Sequence, residues 1–438
     1  MNNSQIPVCT IPGHIRIVLS RIWEKGHMAF LVGGCVRDAI IGRPIHDWDI
    51  ATSASPEAIA GIFPKTALIG ARYGTVSVVL PEVTVEVTTF RSDGEYNDGR
   101  HPDSVEFVGS LNEDLSRRDF TMNAIAASAD GMLTDPFGGF EDIQNRIIRC
   151  VGVPDVRYRE DSLRMLRAFR FSAELGFTIE PSTLAAIHVN ADRMKLVSAE
   201  RVRVELEKTI MAQRPEIAGD IIMAGLLDAY IGQGELVYGN HPVRYAATPP
   251  QRGMDAGDED CAVAEADLLT PFERIASLPA EPVLRWCAFC TALIDMGLIQ
   301  SCAAFLTDLR LDAKTVKSAS SGIAILMSSP NPEIIQVHDR AQIKRLLAKN
   351  GVDAVRCAAA AVDAIFNNST VSLLSLTDEI IASGECFSPG GLAVSGHDLI
   401  SLGYRQGAEL GKVLDMLLEH VIERPEDNTR EFLLSLVG

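Results

Sequence analysis

The chain has 438 residues, which suggests two to four domains. Its 47% hydrophobic and 22% charged content is an ordinary globular balance that excludes a disordered or fibrous chain. The formal net charge of −18 counts against nucleic acid as a partner unless the charge is segregated.

Segregation is present. Residues 251–438 hold 15 Lys and Arg against 26 Asp and Glu, whereas 146–170 hold seven Arg against three acids. No apolar run approaches the roughly 18 residues of a membrane span. Met1 to Thr10 has neither a basic start nor an apolar core, so no signal peptide is expected. Nine scattered cysteines fit reduced thiols in a cytoplasm better than a disulfide framework.

In chain order, Ala29–Val32 reads as a short strand entering Gly33-Gly34, and a helix follows over Cys35–Ile41, ending before Pro44. Asp47–Ala51 reads as a second strand. Ser55-Pro56 opens a helix over 57–63, with serine as N-cap and proline in the first turn. Thr75–Leu80 and Thr84–Phe90 read as a hairpin turning at Pro81-Glu82. An apolar helix is expected after Arg117-Arg118. From about residue 155 strands are expected to disappear, with helices over 159–175, 180–189 and 199–211 and an Ala/Leu-rich helical remainder. Thr248–Asp267, acidic and rich in Pro and Gly, reads as a linker. Cys287 and Cys290 form one C-x-x-C inside an apolar helix over 283–296, which favours core packing over zinc.

Two segments carry chemistry. In His46-Asp47-Trp48-Asp49-Ile50, carboxylates two apart on a strand share a face, about 6.5–7 Å apart. Such a pair is costly unless neutralised, and magnesium neutralises it by taking carboxylate oxygens together with substrate phosphates. Glu86, in Thr84-Val85-Glu86-Val87-Thr88, is a third candidate, or a solvated hairpin position. Upstream, strand, Gly33-Gly34 and helix start present backbone N–H groups to a phosphate, and Arg37 can add a charged fork. A tight βα turn is the plainer reading of the glycines alone. A phosphate cradle beside two carboxylates is what nucleotidyl transfer requires, with two magnesium ions clamping the attacking hydroxyl and the leaving pyrophosphate.

Arg118 is a candidate for a further phosphate contact, and Asp119 and Asn123 for capping or for a ribose hydroxyl. On one continuous helix, Asp161, Arg164, Arg167 and Arg170 would form a slanted ridge on an otherwise apolar surface. Asp161 and Arg164 offer an acceptor and paired donors to a nucleobase edge, while Arg167 and Arg170 hold phosphates or orient Asp161. A solvated ion-pair ladder is the alternative.

These segments together resemble the class II tRNA nucleotidyltransferases, the CCA-adding enzymes of the polymerase-β-like superfamily. The matching stretches are FLVGGCVRD (30–38), DWDIAT (47–52), VEVTTFR (85–91), RRDFTMNAIA (117–126), EDSLRMLRAFRF (160–171) and ERVRVELEK (200–208), with weaker similarity at 392–403 and 423–434. The resemblance implies an α+β chain. A nucleotidyltransferase head over 1–145 would precede an all-α neck over 146–212, with a helical body and tail that grips tRNA over 213–438. It implies addition of C, C and A to a tRNA 3′ end from CTP and ATP, without a template. Asp47 and Asp49 then match metal ligands. Gly34, Arg37 and Arg118 match the triphosphate site, beside the Gly33 of the glycine turn, and Asp161, Arg164, Arg167 and Arg170 the nucleotide site.

Poly(A) polymerases and enzymes adding only C or only A share much of this pattern. Leu68 to Val76 looks more like the CCA-adding form, and 91–104 resembles the family's mobile loop. A non-catalytic RNA-binding scaffold is the rival outside enzymes, and helical dimerisation through the C-terminal half the plain reading of that half. His338-Asp339 and His397-Asp398 echo a phosphohydrolase pattern found in some relatives but lack its companion residues.

Overall fold

A computed structural model describes residues 10–68, 70–81, 83–93, 105–231, 236–238, 241–243, 272–328, 339–366 and 372–438, with Ile6 and Ile334. The expected linker at 248–267, most of the 91–104 stretch and His338 lie outside the described residues. The chain divides into two compact units, made chiefly of Met1–Thr209 and of Asp255–Gly438.

In the first unit, helix α1 (Gly13–Glu24) precedes strand β1 (Ala29–Val32), helix α2 (Gly34–Ile41), strand β2 (Asp49–Thr52) and helix α3 (Pro56–Ile62). Strands β3 (Thr66–Ala67), β4 (Thr75–Val79) and β5 (Thr84–Thr89) follow, then the pair β6 (Arg91–Asp93) and β7 (Val105–Phe107), helix α4 (Leu111–Ser116), and strands β8 (Ala126–Ala127) and β9 (Leu133–Thr134). One seven-stranded sheet runs β3-β4-β5-β2-β1-β8-β9. Its pairs are antiparallel except β2 with β5, which run parallel with Asp49 opposite Glu86. Val32, Ala51, Phe90, Leu115, Ala124, Ala126 and Val151 pack a buried core on this sheet.

The local signals behind these elements are visible. The Ser55 hydroxyl accepts from the Ala58 N–H, with Pro56 in the first turn of α3. The helix α2 stops where Gly42 takes a left-handed conformation.

Four sequence expectations need correction. The second strand begins at Asp49, not Asp47. On one side its partner β1 ends at Val32, where Gly33 turns at φ 76°, so the residues before Asp49 lose the β1 edge of the ladder. The apolar helix expected after Arg118 is a single tight turn, Thr121–Asn123, because Ala126-Ala127 are drawn into the sheet beside β1. Gly139 lies against that turn so closely that a Cβ would fall 2.1 Å from the Thr121 carbonyl oxygen. Strands also persist beyond residue 155. After α5 (Gly139–Gln144), β10 (Ile147–Ile148) pairs in parallel with β11 (Thr178–Ile179), and Leu236–Tyr238 pairs with His241–Val243.

The fourth correction touches the site. The helix expected over 159–175 is two helices, α6 (Pro154–Glu160) and α7 (Leu163–Leu175). Asp161 between them is extended, at φ −141° and ψ 102°. Its Oδ1 accepts the Leu163 N–H at 3.1 Å, and the Ser162 hydroxyl donates back to the Tyr158 carbonyl at 3.0 Å. An aspartate offers the backbone this local alternative to continuing a helix. Helices α8 (Pro181–Asn190), α9 (Ala199–Met211) and α10 (Ile217–Met223) follow.

The second unit is helical. It comprises α11 (Pro282–Asp295), α12 (Cys302–Asp308), α13 (Ala313–Leu326), α14 (Arg340–Asn350), α15 (Val352–Ala361), α16 (Leu373–Ala382), α17 (Gly396–Ser401), α18 (Ala408–Glu423) and α19 (Arg430–Ser435). Cys287 and Cys290 are fully buried on α11, and a hydrogen bond with Cys357 together with burial for Cys287, and burial for Cys290, push their thiols well above the ordinary range, in keeping with core packing. Asp339 and Asp398 serve in capping boxes that start α14 and α17. No helix among the described residues is long and apolar enough to cross a membrane.

Candidate active site

The sheet brings the two chemistry-bearing segments together. Because β1 and β2 are antiparallel, with Leu31 opposite Ile50, the end of β1 lies beside the start of β2. The parallel pairing of β2 with β5 sets Glu86 directly next to Asp49. Asp47 and Glu86 are exposed, Asp49 is half-buried, and Trp48 between the aspartates points into the core. Burial and the charges of Glu86 and Asp47 push the Asp49 carboxyl up, against the opposing pull of Arg118. Among the described residues no three acidic, histidine or cysteine side chains converge into a ready cation cage.

Gly33 is the floor of this corner. A Cβ there would stand 3.0 Å from Arg118 Nη1 and 3.9 Å from Asp49 Oδ2. Its φ of 76° with ψ −135° is backbone that glycine alone adopts without strain. Gly33→Ala is therefore expected to push the Arg118 guanidinium out of place and to cost about 1–3 kcal/mol of stability. A thermal melt checks this, and an unchanged melting temperature would show that Arg118 gives way without cost.

Arg118 is aimed by a residue that sequence reasoning passed over. Asp114 on α4 is buried and accepts from Arg118 Nη2 at 3.1 Å and from Arg117 Nη2 at 2.8 Å. Burial raises its carboxyl, and the two guanidinium groups more than offset that, holding it below the usual carboxylate range. The i,i+4 spacing of Asp114 and Arg118 is a signal that could have found it. Arg118 Nη1 lies at the Gly33–Asp49 corner, and its Nε is buried without a partner among the described residues.

Arg37 stands differently from expectation. Its Nε and Nη2 donate to the Asp38 carboxylate at 3.0 and 3.1 Å, and its Nη1 to Asn123 Oδ1 at 2.8 Å. Its guanidinium fork is already occupied by protein. It lies at one end of a chain of contacts. Asn123 donates to Asp119 Oδ1 at 3.1 Å, and Arg167 donates to Asp119 Oδ2 through Nε at 2.8 Å and Nη2 at 2.6 Å. Arg170 pairs with Glu205 on α9 at 2.5 Å and with Glu174 at 2.8 Å. The guanidinium groups of Arg37, Arg167 and Arg170 all lie over the Phe171 ring, at 5.0, 5.4 and 4.0 Å from its centroid. Phe171 as a shared platform was not legible, since its spacing is that of any apolar helix position.

Asp161 and Arg164 do not share a helix, so the single ridge does not form. Asp161 Oδ2 accepts from Arg201 Nη2 at 2.8 Å. Arg164 is buried, donating to Glu160 and to the Arg117 carbonyl, both at 2.8 Å. Among the described residues, Arg201 Nη1 is a further buried donor without a partner.

Comparison with known proteins agrees with this geometry. Residues 29–149 match the poly A polymerase head domain family, and residues 176–224 match a family described as a probable RNA- and SrmB-binding site of polymerase A. A CCA-adding enzyme of Geobacillus stearothermophilus is 44% identical over 283 residues, covering 64% of this chain and 70% of the relative. One from Limosilactobacillus fermentum is 34% identical over 426 residues, covering 97% and 96%. The crystal structure of the Bacillus stearothermophilus CCA-adding enzyme in complex with CTP superposes with a TM-score of 0.69 at 32% identity, covering 96% of each chain. A sheet corner joining Gly33, Asp49 and Arg118, set in a chain matched along nearly its whole length, places this protein in the family of CCA-adding enzymes.

Proposed function

We propose that this chain adds C, C and A in turn to the 3′ end of tRNA, taking CTP and ATP and releasing pyrophosphate, with no nucleic-acid template. The observation that carries the reading is the meeting of Arg118, the Gly33 backbone and Asp49 in one corner of the sheet. Near-complete coverage by CCA-adding relatives supports it. The unpaired state of all seven cysteines among the described residues supports a cytoplasmic location.

In this reaction the tRNA 3′ hydroxyl oxygen forms a bond to the α-phosphorus, and the bond to the pyrophosphate oxygen breaks. The protein contributes position and charge. Arg118, steadied by Asp114 through Nη2, offers the Nη1 that faces Gly33 to a triphosphate oxygen. Gly33 leaves room for the phosphates to approach the backbone, and Gly34 opens α2 beside it. Arg37 acts through its ties to Asp38 and Asn123, holding the first turn of α2. Asp47 and Asp49, with Glu86 beside them, would hold Mg²⁺. The residues fit that ion, because crowded carboxylates with no closed cage suit a cation that takes one or two protein carboxylates and completes its shell with phosphate oxygens. When bound, Mg²⁺ neutralises the charge that develops on the reacting phosphate oxygens.

Base selection falls to Asp161 and Arg164, with Arg167 and Arg170 fixed behind them. Asp161 and Arg164 already hold protein partners, so reading a base requires exchange of Arg201 or Glu160 for a base edge. Arg164→Ala is expected to blur the choice between CTP and ATP by about 5- to 150-fold, the equivalent of roughly 1–3 kcal/mol for one bidentate pair. The check is single-nucleotide incorporation with each triphosphate, and full selectivity in the variant removes Arg164 from the reading surface.

The overall reading is tested with tRNAs ending before the two C residues, after one, and after both, each given CTP and ATP singly. Stepwise addition of C, C and A is the expected result. Extension of only the last substrate indicates an A-adding enzyme, arrest after C an enzyme adding only C, and long A tails a poly(A) polymerase. No extension at all leaves an RNA-binding scaffold.

A further inference from the structure

The turn that ends α4 reaches both halves of the nucleotide site from one buried carboxylate. Asp114 lies on α4 and is fully buried. Its Oδ1 accepts twice from Arg117, from Nε at 3.0 Å and from Nη2 at 2.8 Å. The same oxygen accepts the Arg91 N–H at the start of β6, at 3.4 Å. Its Oδ2 accepts from Arg118 Nη2 at 3.1 Å. Two successive arginines are thus held by the two oxygens of one side chain, and charge-assisted bonds of this kind fix direction as well as distance.

The two arginines serve different parts of the site. Arg118 Nη1 stands at the Gly33–Asp49 corner. The backbone carbonyl of Arg117 accepts from Arg164 Nη2 at 2.8 Å, across 47 residues of chain. The other terminal nitrogen of Arg164 donates to Glu160 at 2.8 Å and to the Arg157 carbonyl at 3.3 Å. These contacts differ in kind. Glu160 is a partly exposed side chain that can swing away when a base edge takes its place. The Arg117 carbonyl is main chain, with no rotamer to change, and the grip of Asp114 on the Arg117 side chain keeps that residue from shifting. A recognition group is only as precise as the residues that lock it, so the direction of Arg164 depends on this turn.

We infer that Asp114 is a positioning residue that couples base selection to triphosphate placement: one oxygen steadies Arg118, and the other, through Arg117 and its carbonyl, sets the direction in which Arg164 meets a base. The inference rests on the proposed reaction and on Arg164 as a base reader. Being buried, Asp114 acts through the two arginines rather than on the nucleotide itself.

The test is a double-mutant cycle on the full chain, with Asp114→Asn, Arg164→Ala and the two combined, and with Arg117→Met as a second route to the same contact. Two quantities are read for each: the Kd values for CTP and ATP by calorimetry in Mg²⁺, and the ratio of kcat/KM for CTP over ATP on tRNA lacking its terminal CCA. Asp114→Asn keeps the shape of the side chain and removes its charge. It is expected to weaken both triphosphates about three- to tenfold and to lower the CTP-over-ATP ratio by a similar factor. In the Arg164→Ala background its effect on the ratio should vanish while its effect on Kd remains, because only selection runs through Arg164. Arg117→Met leaves the Asp114–Arg118 pair in place, so it should lower the ratio with Kd values within about twofold of wild type. A purely structural carboxylate would move the melting temperature and leave this split absent. Should Asp114→Asn not fold, the cycle of Arg117→Met with Arg164→Ala decides the selection branch. Equal losses of the ratio with and without Arg164, or a ratio unchanged in the variants at 114 and 117, overturn the inference. A wild-type chain that binds both triphosphates but extends no tRNA overturns the proposed reaction instead, and the coupling is then read from the ratio of the two Kd values in the same cycle.

Discussion

Asp49→Asn is expected to abolish incorporation of both C and A, by more than about 10³-fold, while leaving tRNA affinity close to wild type. The substitution keeps the shape of the side chain and removes the charge that a divalent cation needs. It acts at the point where the most is concentrated: the start of β2, opposite Glu86, with Arg118 and Gly33 across the corner. Asp47→Ala should act in the same direction. Folding should not suffer, because the Asp49 carboxylate is already penalised by burial and by two like charges. A thermal shift separates binding from chemistry. Mg²⁺ with CTP should stabilise wild type by roughly 2.7 kcal/mol at a hundredfold excess over Kd, read as a rise in melting temperature, and should do so much less in Asp49→Asn. Wild-type turnover in either variant would place the reacting centre elsewhere.

The second large effect is on stability. Asp119→Asn should destabilise the first unit by about 2–3 kcal/mol, a value at or below the usual range for breaking a buried pair because Arg167 retains partial access to water. Asp119 accepts from Arg167 twice, from Asn123, and from the Phe120 N–H at 2.8 Å. Burial by itself would raise its carboxyl. Arg167, Asn123 and Arg164 reverse that and hold it far below the ordinary carboxylate range. A carboxylate depressed in the folded state contributes stability that is fully present above its unfolded pKa near 3.8 and is lost as the pH falls toward the folded value. Wild type should therefore lose this contribution only in strong acid, and Asp119→Asn should show a flatter acid limb in its melting temperature. Since the same carboxylate links Asn123, and through it Arg37, to Arg167, the variant should also raise the KM for both triphosphates. A loss of stability with unchanged KM values would confine Asp119 to a structural role.

Much of this was legible from residue order. Strand β1, the start of α2, the β4–β5 hairpin and α9 follow from alternation, glycine and cap signals, all of which act within a few residues of the chain. The pair Asp47 and Asp49 and the Gly33-Gly34 turn are equally local, and so were found as candidates. Asp114 was passed over although its i,i+4 spacing to Arg118 is local, whereas Phe171 and Glu205 matter through partners on other elements, Phe171 through Arg37 on α2 and Glu205 through Arg170 across 35 residues of chain.

The break at Asp161 marks the boundary between the two kinds of information. Hydrophobic period alone carries a helix straight through Glu160 to Phe171, and only the side chain of Asp161, bonded to the Leu163 N–H on one oxygen and to Arg201 on the other, decides that it stops. Local pattern determined which residues could do chemistry here. Strand pairing and long-range charge contacts decided which of them meet, because sequence spacing measures distance along the chain, whereas a carboxylate responds to whichever charges the fold brings within a few ångströms of it.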